Sequence, residues 1–321
     1  MYDAARGSCS AERFGRDFAP SWSPSIGVSL AVKSRPVTPD ARSSRAARAT
    51  IEWGPSSQWA GTLARPRELY RHRELLASLV SRDLKARYRG TVFGFLWSLG
   101  NPLLTTLVLT LVFAVFMRGN TIPNFTAFAL IGMLAWNWLS ACITGGITSI
   151  TANSPLISKT YFPREILPLA VVLSNGVNFM FALPAVAVLL LISGIGLGPS
   201  LVLLPLVILI QIVLCSGLAL LFAVANVFFR DTGVIMESLM LAWFFLTPIF
   251  YRPQDLFPQY ERLLYWINPA ASLIAMYRDV LYSAGTPDAL FVLRAALQAV
   301  ALLAVGWVVF SRLADRFLEE L

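Results

Sequence analysis

ILPLAVVLSNGVNFMFALPAVAVLLLISGIGLGPSLVLLPLVILIQIVLCSGLALLFAVANVFF, residues Ile166–Phe229, is a run of 64 residues without one Asp, Glu, Lys or Arg. A helix crossing a hydrocarbon core of roughly 30 Å uses about 20 residues, so the run is too long for a single crossing. Its only interruption is GIGLGPS (Gly194–Ser200), and Gly with Pro is the strongest punctuation of an apolar helical pattern. The stretch therefore predicts two transmembrane helices joined by a tight turn. Upstream, no charge occurs from Gly90 to Met117, which places a span over Phe93–Phe116, and a further span over Thr126–Ile150 follows the TIPN turn. Downstream, Val234–Phe250 and Ala289–Phe310 complete an all-α integral membrane protein of six transmembrane helices.

The composition agrees. The chain is 56% hydrophobic and 14% charged, where soluble domains run at about 45–50% and about 25%. The charge is unevenly placed: 16 Lys/Arg and 8 Asp/Glu precede Phe93, while 10 of each follow, so the whole +8 excess belongs to the leader. Residues 1–62, rich in Ser, Ala, Arg and Pro without a helical or strand period, read as a disordered basic tail. Ser25–Val32 is too short for a span and makes a poor signal-peptide core, so an uncleaved cytoplasmic tail is expected, and a start codon assigned too far upstream would also produce such a leader. Around the span ends, ten Lys/Arg lie on the side of the N-terminus and five on the other. That bias places both termini in the cytoplasm.

Between tail and first span lies RELYRHRELLASLVSRDLKARY (Arg67–Tyr88). At 100° per residue, Leu69, Leu75, Leu76, Leu79, Val80 and Leu84 share one half of a helix and Arg71, Glu74, Arg82 and Lys85 the other, with Arg73, Asp83 and Arg87 intruding on the apolar half. Such a helix lies on anionic lipid, or uses its polar face to meet a partner protein as well.

Several chemistries are excluded. Cys9, Cys142 and Cys215 have no metal or disulfide spacing, and Cys142 and Cys215 read as small packing residues. The only histidine, His72, precedes every span, which removes HExxH sites and His-based triads or relays within the membrane. Lys33, Lys85 and Lys159 are the only lysines and none follows Gly, so no Walker A loop exists in the chain. Ionisable groups inside a bilayer are costly and mark ion-coupled transport, yet Glu237, near the cytoplasmic end of the fifth span, is the only acid in a predicted membrane core. Proton or sodium coupling and intramembrane hydrolysis are thereby disfavoured. A passive pore or scramblase, a structural subunit, and a transporter driven by a separate ATPase remain.

The cytoplasmic connections are then the places for a docking surface. Ala152–Pro168 (ANSPLISKTYFPREILP) predicts a short helix over Pro155–Tyr161 that projects Lys159, with Tyr161 and Phe162 as exposed aromatics. Phe228–Gly233 brings Arg230 and Asp231 together as a possible pair at the membrane boundary. On the outside, Tyr251–Asp288 is apolar around LLYWINPAASLIAMY, which reads as short helices dipping into the outer face or as an ordinary interfacial loop; irregular backbone at depth must be covered by protein. Pro269 breaks a helix there, and its missing N–H frees a carbonyl one turn back.

Four segments carry a resemblance: RELLASLVSRDLKARYRGTVFGFLWSLGNPLL (Arg73–Leu104), NSPLISKTYFPREILPLA (Asn153–Ala170), FFRD followed by FFLTPIFY, and INPAASLIAMYRDVLY (Ile267–Tyr282). Together and in this order they resemble the permease subunits of type-2 ABC exporters, and most of all those that export O-antigen, capsule or teichoic-acid chains. The likeness runs from Arg67 to the C-terminus and does not reach residues 1–62. It implies a homodimer in the cytoplasmic (inner) membrane, with a separate nucleotide-binding ABC ATPase subunit that binds ATP and Mg; the chain itself is not an enzyme and holds no cofactor or metal. Beyond the 1–62 tail read from composition, it implies two segments: 63–92 as an amphipathic interface helix bearing Arg71, Arg82, Lys85, Arg87 and Arg89, and 93–321 as the permease domain. Ser154, Leu156, Ile157, Lys159, Tyr161 and Phe162 correspond to its ATPase-coupling helix, Arg230 and Asp231 to a cytoplasmic turn, and Tyr251–Tyr282, with Trp266, Asn268 and Pro269, to its external re-entrant gate helices.

The substrate implied is a lipid-linked polysaccharide, with a drug or small lipid as the alternative cargo and a passive scaffold or scramblase as the alternative class; no nucleic acid is expected. Aromatic rings stack on sugar faces, so Trp97, Trp136, Trp243 and Tyr251 are candidates for a glycan path, as are Trp138 and Trp266. Membrane proteins enrich the same residues at both interfaces for anchoring alone. Among basic residues, Arg89 at the cytoplasmic entrance is the candidate for a lipid pyrophosphate.

Overall fold

The structure, a computed structural model, describes residues 69–89, 100, 103–105, 107–108, 111, 122–159, 162–196, 198–256 and 258–317. The tail and nearly all of the first predicted span lie outside these residues, as do Trp97 and Tyr161. Helix is the only regular structure among those described. The helices are α1 (Arg73–Tyr88), α2 (Phe125–Ser149), α3 (Ser154–Lys159), α4 (Ile166–Ile192), α5 (Leu204–Phe228), α6 (Thr232–Leu246), α7 (Pro253–Leu256), α8 (Glu261–Ile267), α9 (Pro269–Leu281) and α10 (Ala289–Leu313), with short 3-10 turns between several of them. Among the described residues, four helices are long and apolar enough to cross a membrane: α2, α4, α5 with the preceding Pro199–Leu203 turn, and α10.

The break within the 64-residue run falls where the sequence places it. Gly194 takes a left-handed conformation (φ 75°) that glycine adopts without strain, and the amide of Ile195 returns to the Leu190 carbonyl at 2.9 Å, closing the end of α4. Pro199 then opens the next turn at a position where no N–H is needed. Asn124, also left-handed, donates from Nδ2 to the Ser193 carbonyl (3.0 Å) and ties the start of α2 to this turn.

α2 and α5 form the centre and are buried over most of their spanning length. Their approach depends on missing side chains: a Cβ on Gly146 would lie 2.9 Å from Ala219 Cα, and one on Gly217 would lie 2.6–2.8 Å from the backbone of Leu302 and Leu303 in α10. Small residues let helices pack closely in lipid, where no hydrophobic force brings them together. α10 buries Ala295, Ala299, Gly306 and Phe310 along that seam and exposes Leu290, Leu293, Leu297, Val300 and Val305. One buried cluster fills the space between α2, α4, α5 and α9, and a second joins the start of α4 and the ends of α5 and α10 to α1.

Two segments are defined more closely than by sequence. The fifth predicted span, Val234–Phe250, is helical only to Leu246, because Pro248 disfavours helical backbone in the residue before it; Thr247 is extended (φ −91°, ψ 132°). Fifteen residues reach about 22 Å, short of a core of roughly 30 Å. The external segment, for its part, is more than a loop. α9 buries Ala270–Ile274, Met276–Arg278, Val280 and Leu281, whereas α8 exposes Leu263, Trp266 and Ile267.

Candidate functional site

Thr151–Asn153 and α3 form the connector between α2 and α4. Lys159 and Pro155 point outward, Ser154 and Leu156 are half-buried, and Ile157 is buried. Phe162, expected as an exposed aromatic, is 6% exposed and belongs to the buried cluster containing Leu79, Ile157, Ile166, Leu167, Phe310 and Phe317. It anchors the connector within its own subunit. Arg164 fixes the same end from the other side, donating to the Ala314 carbonyl and lying 5.9 Å from the Phe317 ring.

α1 docks here by its apolar stripe: Leu79 is buried, and Leu69, Leu75, Leu76 and Val80 pack against the same cluster. Its apolar face is therefore spent on protein, and Arg71, Glu74, Arg82 and Lys85 are left exposed as the helical wheel predicts. The three intruding charges have local reasons. Arg73 donates to the Tyr70 hydroxyl (2.8 Å), Asp83 pairs with Arg82 (3.2 Å), and Arg87 donates to Asn175 Oδ1 of α4 (2.9 Å). Arg82 also donates to Asn153 Oδ1 (3.3 Å), joining α1 to the connector, and Arg89 follows the helix end, exposed. Arg230 and Asp231 are both exposed and do not form the expected pair; the Thr232 hydroxyl closes that turn instead, donating to the Phe229 carbonyl at 2.6 Å.

In the segment between α6 and α10, the helix breaks at Asn268, extended between α8 and α9 (φ −109°, ψ 97°). Pro269 occupies the first position of α9, so its missing N–H is an orphan in any helix. The carbonyl one turn back, that of Tyr265, accepts the Ser272 hydroxyl at 3.0 Å, and the Ser272 oxygen accepts Arg294 at 2.9 Å. Asn268 Oδ1 accepts the amides of Ala270 (3.1 Å) and Ala271 (3.3 Å) and the indole N–H of Trp243 (2.9 Å), while Nδ2 donates to Thr247 Oγ1 (3.0 Å). Burial and the nearby Glu261 push the Tyr265 hydroxyl up to about 12, so it stays neutral.

Trp266 is 63% exposed and holds α10 through its carbonyl, which accepts from Gln298 at 2.8 Å. Trp136 is 5% exposed, edge-on to Trp243 (5.8 Å) and Phe244 (5.7 Å). It has no free face for a sugar, which corrects its candidacy for the path. Trp138 is likewise buried, stacked on Phe179 at 4.9 Å. Trp243 is half-buried with its N–H already used, and the Tyr251 hydroxyl donates to the Leu246 carbonyl (3.3 Å).

The sequence reading missed Arg278. It is 7% exposed and donates to the carbonyls of Pro248 (2.6 Å) and Ile249 (2.5 Å), with its guanidinium 3.4 Å over the Phe128 ring. It covers the irregular backbone after α6. Gly132 makes room: a Cβ there would lie 2.9 Å from the guanidinium. The signal was a lone cation inside LIAMYRDVLY following a Thr-Pro break, legible only once the two are known to touch. Gln211, whose Nε2 donates to the Ala135 carbonyl (2.9 Å), and Asn226, which donates to that of Ile147 (2.9 Å), were missed among the aliphatics of the long run; both cross-link α5 to α2.

Residues 74–282 match the ABC-2 type transporter family. The chain is 40% identical, over 79% of its length and 98% of the relative's, to the O-antigen export system permease protein RfbA of Myxococcus xanthus. It is 33% identical, over 77% of its length and 95% of the relative's, to a protein of the same name from Klebsiella pneumoniae. The capsule polysaccharide export inner-membrane protein CtrC of Neisseria meningitidis is 34% identical over 35% of this chain and 45% of its own.

Proposed function

This chain belongs to the ABC-2 type transporter family, and from that membership we propose that it is the permease subunit of an ATP-driven exporter that carries a lipid-linked polysaccharide, of the O-antigen or capsule kind, across the cytoplasmic membrane. The observation that carries this reading is the likeness to an O-antigen export permease over nearly the whole of that protein. The chain carries no Walker lysine motif, which supports the reading that ATP and Mg are bound by a separate nucleotide-binding subunit. That subunit docks on the connector Thr151–Lys159 and on the polar face of α1, where Lys159, Arg71, Arg82 and Lys85 are exposed on a frame held by Phe162 and Leu79. Both termini are cytoplasmic, and the first span together with α6 extended by the apolar Thr247–Phe250 segment brings the membrane-crossing segments to six.

A second copy of the chain completes the path. α6 buries only Met236 and Met240 and exposes Val234, Leu239, Leu241 and Phe245 together with Glu237. A carboxylate does not face hydrocarbon without large cost, so this helix borders water beside a partner subunit. The α8–α9 pair, hinged at Asn268, closes the outer end, and Tyr251, with Trp97 of the first span, offers rings to the passing glycan.

The test is genetic and chemical. Cells without this gene, complemented with wild type or with Lys159→Glu, are scored for surface polysaccharide and for lipid-linked polysaccharide on the inner leaflet. Loss of the former with accumulation of the latter is expected in the null strain and, at wild-type protein level, in the Lys159→Glu strain. Unchanged surface polysaccharide in the null strain overturns the reading.

A further inference from the structure

Asn268 is the point where three elements meet, and its bonds exceed what a helix cap needs. An N-cap requires one side-chain oxygen to accept the first free amides of the helix, a task that Ser, Thr or Asp performs equally well. Asn268 does this for Ala270 and Ala271. The same oxygen also accepts the Trp243 indole N–H, and the amide nitrogen, which Ser and Asp lack, donates to Thr247 Oγ1. The Thr247 hydroxyl proton goes on to the Trp243 carbonyl at 2.7 Å, so the last turn of α6 and the hinge form one closed set of hydrogen bonds, buried at 6% exposure of Asn268 and 1% of Thr247. Both bonds to α6 arise from side chains one turn apart, and both end on the single residue between α8 and α9.

We propose that Asn268 is a latch: through Trp243 and Thr247, the end of α6 holds the α8–α9 hinge shut. This rests on the reading of α8–α9 as the external gate. The surrounding contacts give the latch something to hold. α8 is fastened to α10 through Gln298 and the Trp266 carbonyl, and α9 to the backbone after α6 through Arg278. A bend at Asn268 parts α8 from α9 with both fastenings left in place, at the cost of the Ser272 hydroxyl bond to the Tyr265 carbonyl that also spans the hinge. Hinges that absorb a backbone change at one or two residues at the end of an element are the usual means of such opening. Cutting the two bonds to α6 leaves the cap on Ala270 and Ala271 intact and releases the restraint, with loss of the Thr247 bond to the Trp243 carbonyl inside the last turn of α6.

The experiment uses the full chain with its ATPase in sealed vesicles, with Cys9, Cys142 and Cys215 replaced by Ser and a cysteine placed at Ala271, which is fully buried in the first turn of α9. A membrane-impermeant maleimide added to the extracytoplasmic side reports opening without reference to any glycan. In the Trp243→Phe/Thr247→Val double variant, labelling without ATP rises about tenfold, the scale set by losing two neutral hydrogen bonds. Trp136→Phe disturbs the same ring cluster but not the latch and leaves labelling at the wild-type rate. Unchanged labelling in the double variant, or an equal rise in Trp136→Phe, overturns the proposal. If the double variant does not insert, each single variant carries the test at about a threefold rise. A wild-type labelling rate that never responds to ATP counts against the gate reading alone, since the latch is read from the ATP-free rates.

Discussion

Arg278 shows how one side chain sets what its neighbours can be. The chain leaves helical geometry at Thr247 and turns through Pro248 and Ile249, exposing carbonyls that water would ordinarily take. The guanidinium supplies two donors in a fixed fork, a geometry that a lysine ammonium does not reproduce. Arg278→Lys therefore keeps the charge and loses one of the two short bonds; the solubilised protein is expected to be about 2 kcal/mol less stable, the scale of a hydrogen bond to a charged group, read as a lower midpoint in a thermal-aggregation assay. An unchanged midpoint would mean that a water replaces the lost donor. Asp279 beside it is partly desolvated, which raises its carboxyl above the ordinary value, an effect the neighbouring guanidinium partly offsets. Phe162 makes the opposite point. A sequence shows that two aromatics precede a proline, and whether they face a partner or their own core depends on which helices come to lie behind them.

At the scale of elements, the spanning helices were legible because hydrocarbon leaves an unambiguous signature: apolar residues in runs of about 20. The turn at Gly194–Ser200 was legible for an equally local reason, since a left-handed residue and a proline act within a few residues of themselves. The end of α6 was harder, because apolarity continues through Pro248–Phe250 while helicity does not. Contacts between helices are carried by small residues that no composition measure singles out. Gly306 sits against Gly217 where α5 and α10 cross, and Gly306→Val forces them apart. The expected cost is about 1–3 kcal/mol, as for other overpacked sites, seen as reduced folded yield with unchanged expression. The same substitution at Gly196, which has open space around it, should be tolerated.

For the whole molecule, the expected orientation rests on the distribution of Lys and Arg. On the ten-to-five bias, the Thr151–Lys159 connector is predicted to lie inside and the α10 entry outside. With Cys9, Cys142 and Cys215 replaced by Ser, an impermeant maleimide applied to intact cells is expected to modify a cysteine at Thr286 and to miss one at Lys159, both exposed positions; the reverse pattern would invert the arrangement. The proposed dimer belongs to this scale too. α6 and α10 expose apolar faces wider than their buried ones, and only one of those surfaces carries a carboxylate.

The sequence by itself determined that this chain is a helical membrane protein, where its long helices turn, which half of α1 is apolar and that it cannot hydrolyse ATP by a Walker site. These follow from local chemistry: hydrophobic transfer, backbone sterics and the presence or absence of particular side chains. Only the tertiary structure decided that α9 is buried while α8 is not, that Phe162 and Trp136 belong to the interior, that Arg278 seals the break after α6, and that Asn268 is bonded to Trp243 and Thr247. Each of these depends on a pairing between residues distant in the chain, and such pairings are set by how helices of similar apolarity find their closest packing.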